Sequence, residues 1–428
     1  MTGTVPQRDL LSADPVAVTG VGMVTSLGPD RESTWAALCR GECRMDFLRG
    51  MPGVPEGKVV AATVDVPLDY PGQLKPIVLA RMAAEEAVRD AKLDLAAVDP
   101  WQVGCCISGH MGDASHVALR LGRTELVPGE DFPWWRQWFP SSACEEVKRH
   151  FHLRGPSLCH QAACASGLVD FYSAVRLLRS GACRVVVAGA ADALHPLFVA
   201  GFLRLGVLGH HAQPHLACRP FDAQRNGFVM GEGGAAFVLE RLSHALARGA
   251  KVYAVVLGGC MMAQAHHVTS MDMGSEPLAW AIQATLAQAQ LEPEQLEYIN
   301  AHGTGTKQND VAEVQAVRRA LGEASRRVCL SSAKAQLGHL INAAGCVELA
   351  LTVLALRDGF LPPTANLITP DPECNLDCLP QVGRPRKVQV ALKVSIGFGG
   401  HVVAVLLRRW NDPLSGRAYP RQALPAAA

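Results

Sequence analysis

Almost no net charge remains on this 428-residue chain, because 40 Lys and Arg nearly cancel 39 Asp and Glu to leave +1. That balance argues against a nucleic-acid binder and against a protein held on an anionic membrane. No CxxC pair occurs among the 14 scattered cysteines, which read as reduced thiols in a cytoplasmic protein. Long apolar runs are also lacking. Stretches such as Ala182 to Ala193 and Ala343 to Leu356 are too short for a spanning helix, which needs roughly 20 residues, so no membrane span is expected. Met1 to Asp14 lacks the apolar core of a secretory signal. Neither a low-complexity tract nor a regular short repeat is present, which excludes a solenoid.

What the chain does have is apolar material: 49% hydrophobic against 18% charged residues suits a compact enzyme with a large core. Short β-branched runs (Val16 to Val21, Val103 to Ile107, Arg184 to Ala188, Ala235 to Leu239, Val252 to Leu257, Tyr298 to Asn300, Val388 to Val394, His401 to Leu407) alternate with helical patterns. The helical patterns are Val78 to Lys92, Ala165 to Arg179, Pro277 to Gln290, Asp310 to Leu321 and Gly338 to Arg357. This alternation predicts an α/β fold with mostly buried strands and helices on both sheet faces. The stretch Leu242 to Ala250 divides the chain, giving halves at 15–243 and 251–410, with flexible extensions at 1–14 and 411–428.

Three segments carry chemistry. In the first, Ala162-Ala163-Cys164-Ala165-Ser166-Gly167 precedes an amphipathic helix, where unsatisfied N–H groups and the macrodipole would favour a thiolate at Cys164. Small neighbours leave room for a thioester, although a lone cysteine is more often a small buried hydrophobe. The second segment, Asn300-Ala301-His302-Gly303-Thr304-Gly305-Thr306, puts a histidine at a strand end before a Gly-rich turn with two hydroxyls. A satisfied structural histidine would fit there equally well. In the third, Lys334 precedes a turn, His339 opens a hydrophobic helix and Glu348 lies further along it. A linked Lys, His and Glu set or a surface ion pair would each explain them.

Together these segments resemble the ketoacyl synthase family of the thiolase fold, in particular the elongating synthases of fatty acid and polyketide assembly. The resemblance covers about residues 15–409 and takes in Val18-Thr19-Gly20-Val21-Gly22, Arg219-Pro220-Phe221-Asp222, Gly227-Phe228-Val229-Met230-Gly231-Glu232-Gly233 and Gly397-Phe398-Gly399-Gly400-His401. It implies two similar halves in α-β-α-β-α layers. It also implies a β-ketoacyl-[acyl carrier protein] synthase that condenses a Cys164-bound acyl group with a decarboxylating malonyl thioester. Backbone N–H groups of Cys164 and Phe398 would form the oxyanion hole, and His302 and His339 would stabilise the enolate. Lys334 and Glu348 would set the charge and orientation of the histidines. Thr304 and Thr306 would hold the phosphopantetheine arm of an acyl carrier protein, with no cofactor bound to the enzyme itself, and Phe398 would gate the acyl chain.

The same resemblance implies a dimer, either of two copies or with a chain-length-factor-like partner. A noncatalytic chain-length factor and a non-elongating acyltransferase are the rival readings for this chain. Gly20-Val21-Gly22 is not a dinucleotide fingerprint, since Thr25 stands in place of the third glycine. His210-His211, His215 and His266-His267 lack a metal-ligand pattern, so no metal is expected. Around Phe398, Val394, Ile396, His401 and Val402 depart from the residues usual in elongating enzymes. By family alignment His110, Met111 and Trp138 add bulk at the acyl tunnel, while His160 and Gln161 put polar groups just before the nucleophile. These five predict a short, unsaturated or oxygen-bearing acyl group.

Overall fold

The computed structural model describes residues 14–51, 53–66, 69–70, 73–109, 137 and 139–411. Of the tunnel residues named above, His110, Met111 and Trp138 lie outside the described residues.

Among the described residues, ten strands form one hydrogen-bonded sheet. In chain order they are β1 (Val16–Thr25), β2 (Val103–Ser108), β3 (Ser157–Leu158), β4 (Val185–Asp192), β5 (Gly233–Arg241), β6 (Ala254–Ala263), β7 (Tyr298–Asn300), β8 (Cys329–Ser331), β9 (Val390–Gly397) and β10 (His401–Arg409). Across the sheet the order is β8-β7-β9-β10-β6-β1-β5-β4-β2-β3. Each half therefore repeats one scheme: the third strand lies beside the second, then the fourth, the fifth and the first. Directions repeat as well. The first three neighbours are parallel (β8, β7, β9 and β3, β2, β4), and the fifth strand runs antiparallel to the fourth and the first. The halves meet where β1 pairs with β6, from Val16↔Val256 to Val18↔Ala254. Parallel strands buried on both faces read as continuous apolar runs, which is why strict alternation is absent from the sequence.

The main helices are α1 (Lys75–Asp90), α2 (Ser166–Arg179), α3 (Glu276–Gln288), α4 (Lys307–Leu321) and α5 (Ala344–Asp358). Every residue of α5 from Ala344 to Leu356 is buried. A helix apolar all round belongs in a core, and α5 packs against α2 and against strands of both halves. Outside this central pair, α1 covers β1, β5 and β4, while α3 covers β6 and β10 with α4 beside it. The layered α-β-α-β-α arrangement implied by the resemblance is thus present. The central helices meet at Gly167, where a Cβ would come 2.9 Å from the Asn342 carbonyl oxygen and 2.7 Å from the Ala190 methyl. Among the described residues no helix is long and apolar enough to cross a membrane.

The helix expected from Gly338 begins only at Ala344. Instead His339 makes an isolated bridge to Met230, because its N–H donates to the Val229 carbonyl at 2.6 Å and the Gly231 N–H donates to its carbonyl at 2.9 Å, and a 3₁₀ turn follows at Ile341–Ala343. Both bonds pull this segment against the Gly227 to Gly233 motif.

Candidate active site

Ala163 holds φ at 48°, in the left-handed region, and Ile341 holds the same region at 47°. These non-glycine positions each cost about 1–3 kcal/mol and persist only where the surroundings fix them. Each begins a 3₁₀ turn, Ala163–Ala165 or Ile341–Ala343, that runs into a central helix. The two halves therefore carry the same elbow. At its middle the first presents Cys164 and the second Asn342, whose Nδ2 donates to the Gly109 carbonyl at 2.7 Å. Ser166 locks the first elbow: its Oγ accepts from the Ala162 N–H at 2.8 Å and donates to the Ala163 carbonyl at 2.7 Å.

Cys164 is buried, and burial pushes its thiol up to about 12 against the opposing pull of Lys334 and of the Phe398 and Cys164 N–H groups. Burial thus acts against the thiolate that the helix start is expected to favour. In the free enzyme Cys164 is a neutral thiol. Its alkylation by iodoacetamide, followed by peptide mass mapping, should rise about tenfold per pH unit from pH 7 to pH 10. A plateau below pH 8 would contradict this.

His302 follows β7 and His339 precedes the second elbow. Their rings lie 5.4 Å apart, nearly perpendicular. Nδ1 of His339 accepts the Ile341 N–H at 3.1 Å, so its Nε2 carries the proton and is the donor. His302 Nδ1 is buried without a hydrogen-bond partner among the described residues. Burial first, then Lys334, drives both histidines well below the ordinary imidazole value. The pair is neutral at pH 7 and offers hydrogen bonds rather than charge.

Behind the histidines lies a buried charge cluster. Lys334 Nζ is 2.5 Å from Glu348 Oε1 and donates to the His302 carbonyl at 2.5 Å. Glu348 Oε2 lies 2.6 Å from Lys393 Nζ. Glu313 accepts the His302 N–H at 2.6 Å and the Gly303 N–H at 2.7 Å, and burial pushes its carboxyl up to about 7. Lys334 and Glu348 are therefore a buried pair rather than a surface one, and the histidine they join is His302, through its carbonyl, not His339. Removing Glu348 would leave two buried ammonium groups facing each other, so Glu348→Ala should cost about 3–5 kcal/mol. Glu32→Gln at the half-exposed Arg357 pair should cost under about 1 kcal/mol. Equal melting midpoints for the two variants would refute the contrast.

The third wall is the Phe398 turn. A Cβ on Gly397 would come 2.4 Å from the Ala162 carbonyl oxygen, so only glycine lets the turn approach the nucleophile elbow. The Gly399 N–H donates to the Val268 carbonyl at 2.7 Å, and the Gln264 N–H donates to the Gly400 carbonyl at 2.7 Å. These bonds support the turn despite the unusual residues around it. Phe398 stands 6.2 Å from Phe202, and Phe202 and Phe228 continue the aromatic wall to His339. Thr304 and Thr306 hydrogen-bond to each other at 2.9 Å, and Thr306 caps α4. Buried Arg225 fixes their loop by donating to the Thr306 carbonyl at 3.1 Å, while Asp310 accepts the Gly305 N–H at 3.2 Å.

Cys164, His302, His339, Thr304, Thr306 and Phe398 all line one cavity of about 460 Å³. Lys334 and Glu348 lie behind it. Gln161 is exposed and does not line the cavity. His160 is held by buried Asp170, which raises its pKa and leaves it no need of a substrate partner. The case for a polar acyl group from these two residues therefore falls: Gln161 lies at the surface and His160 already has a carboxylate partner. Sequence reasoning missed Lys393, Glu313, Asp310 and Arg225. For Lys393, Glu313 and Asp310 the available signal was a single charge inside an apolar strand or on the buried face of a helix, whereas Arg225 lies in a loop and gave no such signal.

Comparison with known proteins agrees with this geometry. The beta-ketoacyl synthase N-terminal domain matches residues 75–245, and the C-terminal domain of the same family matches residues 253–368. The tetracenomycin polyketide synthase ketoacyl synthase alpha subunit of Streptomyces glaucescens is 36% identical over 418 residues, covering 94% of this chain and 98% of its own. The 3-oxoacyl-acyl-carrier-protein synthase 2 of Synechocystis sp. is 33% identical over 412 residues, covering 92% of this chain and 98% of its own. A type II polyketide synthase ketosynthase, solved with its acyl carrier protein and bound to a hexaketide, superposes with a TM-score of 0.85 at 29% identity, covering 93% of this chain and 99% of its own. The chain belongs to the beta-ketoacyl synthase family.

Proposed function

We propose that the protein is an active β-ketoacyl synthase of a type II polyketide or fatty acid pathway, carrying out decarboxylative Claisen condensation on carrier-bound substrates. The observation that carries this reading is the convergence of Cys164, His302 and His339 on one cavity beside the Phe398 turn. A noncatalytic chain-length partner needs no nucleophile, and here the nucleophile stands on a locked elbow.

In the first half-reaction the Cys164 sulfur attacks the carbonyl of an acyl thioester on the phosphopantetheine of an acyl carrier protein. The tetrahedral oxygen is held by the Cys164 and Phe398 N–H groups. The Cys164 proton ends on the departing pantetheine sulfur, so the exchange is balanced. In the second half-reaction a malonyl carrier thioester occupies the same arm site, with Thr304 and Thr306 as hydroxyl partners. Carbon dioxide leaves, and the neutral N–H donors of His302 and His339 receive the developing enolate oxygen. The enolate carbon attacks the acyl-cysteine, the C–S bond breaks with its electron pair on the Cys164 sulfur, which takes up a proton from solvent to return to the thiol, and a β-ketoacyl carrier thioester departs.

The carrier protein is thus the obligatory partner. One sheet edge, β3, has no partner on its outer side among the described strands; we assign it to a second copy of this chain or to a chain-length-factor-like subunit. The free thiols of all 14 cysteines suit the reducing cytoplasm. Incubation with an acyl carrier thioester and malonyl carrier protein should yield carbon dioxide and a β-ketoacyl carrier detected by intact mass. Acylation without carbon dioxide release would instead indicate a non-elongating acyltransferase.

A further inference from the structure

Lys393 is absent from the cavity wall, yet four oxygens surround its ammonium in the core. It sits on β9, fully buried, in the run Val390 to Gly397 where every residue is buried. Its Nζ donates to the Val394 carbonyl at 2.6 Å, the Ala301 carbonyl at 3.1 Å and the Asn300 carbonyl at 3.4 Å, and pairs with Glu348 Oε2 at 2.6 Å. Lys334 Nζ takes the next carbonyl, that of His302, and the other oxygen of Glu348. Two ammonium groups thus hold three successive carbonyls, Asn300, Ala301 and His302, just where β7 ends. Asn300 Oδ1 and Ser395 Oγ, on residues of the same wall, are buried with no hydrogen-bond partner among the described residues.

We propose that Lys393 is a positioning residue that serves as a built-in cation: its ammonium fills an oxygen cage that would otherwise need a free monovalent ion, and so fixes Glu348 and the main chain leading into His302. The geometry supports this in three ways. Carbonyl and carboxylate oxygens at 2.6 to 3.4 Å suit an ammonium or a potassium ion equally. Glu348 is shared, so a shift at Lys393 passes through Lys334 to the His302 carbonyl. Removing the charge strands a carboxylate oxygen and three carbonyls in a dry interior. Burial lowers Lys393 to about 8, which still leaves it charged at pH 7.

This inference rests on the condensing activity proposed above, and the test separates the two. Lys393→Ala opens the cage, whereas Lys393→Met removes the charge and keeps the space filled. Each variant and the native protein are assayed at equal ionic strength in the chlorides of tetramethylammonium, sodium, potassium and ammonium. Acylation of Cys164, malonyl decarboxylation and melting midpoint are read separately. In tetramethylammonium, both variants should keep acylation within about threefold and lose about 100-fold in decarboxylation. Potassium or ammonium should restore Lys393→Ala at least about tenfold and raise its melting midpoint, with no effect on Lys393→Met or the native protein. A variant that folds only in ammonium or potassium supports the cage as well. Salt-independent behaviour of Lys393→Ala overturns the proposal, as does its failure to fold in every salt, because an ammonium ion should refill the space. Native protein that releases no carbon dioxide in any salt would instead count against the condensing function, and the salt dependence of the Lys393→Ala melting midpoint would still decide the cage.

Discussion

Cys164→Ala should lower condensation by at least about 10⁴-fold, to the level of background, because no other group can form the thioester intermediate. The loss should be purely chemical. The side chain is small and buried, and the elbow is held by Ser166 rather than by sulfur. The melting midpoint should therefore stay within a few degrees of the native value, on the order of a single small core substitution. Malonyl decarboxylation should survive in part, since the histidine pair and its charge cluster remain. The native protein incubated with an acyl carrier thioester should gain the acyl mass on the peptide containing Cys164, and the variant should gain none. Cys159 is the internal control. It is half-buried beside the Pro140 carbonyl and pushed up to about 12 by burial, five residues from Cys164. An adduct on Cys159, or undiminished condensation by Cys164→Ala, would refute the assignment.

Much of the site was legible because its residues are clustered in sequence. The elbow, the His302 to Thr306 turn and the Lys334 to Glu348 segment are each short and each placed at the end of a strand or the start of a helix. The strand β9 was legible too, but not the meaning of Lys393 within it. An apolar run with one lysine looks the same whether the charge escapes to water or meets a carboxylate. Only the tertiary crossing of β9 with α5 brings Glu348 to it. Arg225 and Asp310 were hidden for the same reason: their partners lie on separate segments, at 3.5 Å in the fold. The opposite error occurred at Gln161. Adjacency to the nucleophile in sequence suggested contact with substrate, whereas the chain turns there so that Ala162 faces inward and Gln161 outward. Charge state was a further case, because the helix start could be read from the residues but the desolvation of Cys164 depends on walls contributed by both halves.

His302→Ala and His339→Ala should divide the reaction. Neither ring is needed for the first half-reaction, whose oxyanion is held by main-chain N–H groups, so acylation of Cys164 should stay within about tenfold of native in both variants. In the second half-reaction negative charge grows on the thioester oxygen as carbon dioxide leaves. Each lost donor should cost about 10²–10³-fold in decarboxylation, or roughly 3–4 kcal/mol. The rings are held by different means, which sets an order between them. His339 is fixed through Nδ1 by the Ile341 N–H at 3.1 Å, while among the described residues His302 is fixed through its main chain, by Lys334 and Glu313. A glutamine or asparagine amide can mimic a neutral N–H donor but not an imidazolium. His302→Asn or His339→Gln should therefore recover part of the decarboxylation that alanine loses. Because both native histidines titrate well below the ordinary imidazole value, they stay neutral as pH falls through 7 and 6. The native decarboxylation rate should accordingly show no acid limb from histidine near pH 6.5. Such a limb would mean that one ring acts as a titrating base and would overturn the neutral-donor assignment, as would native-like carbon dioxide release from either alanine variant.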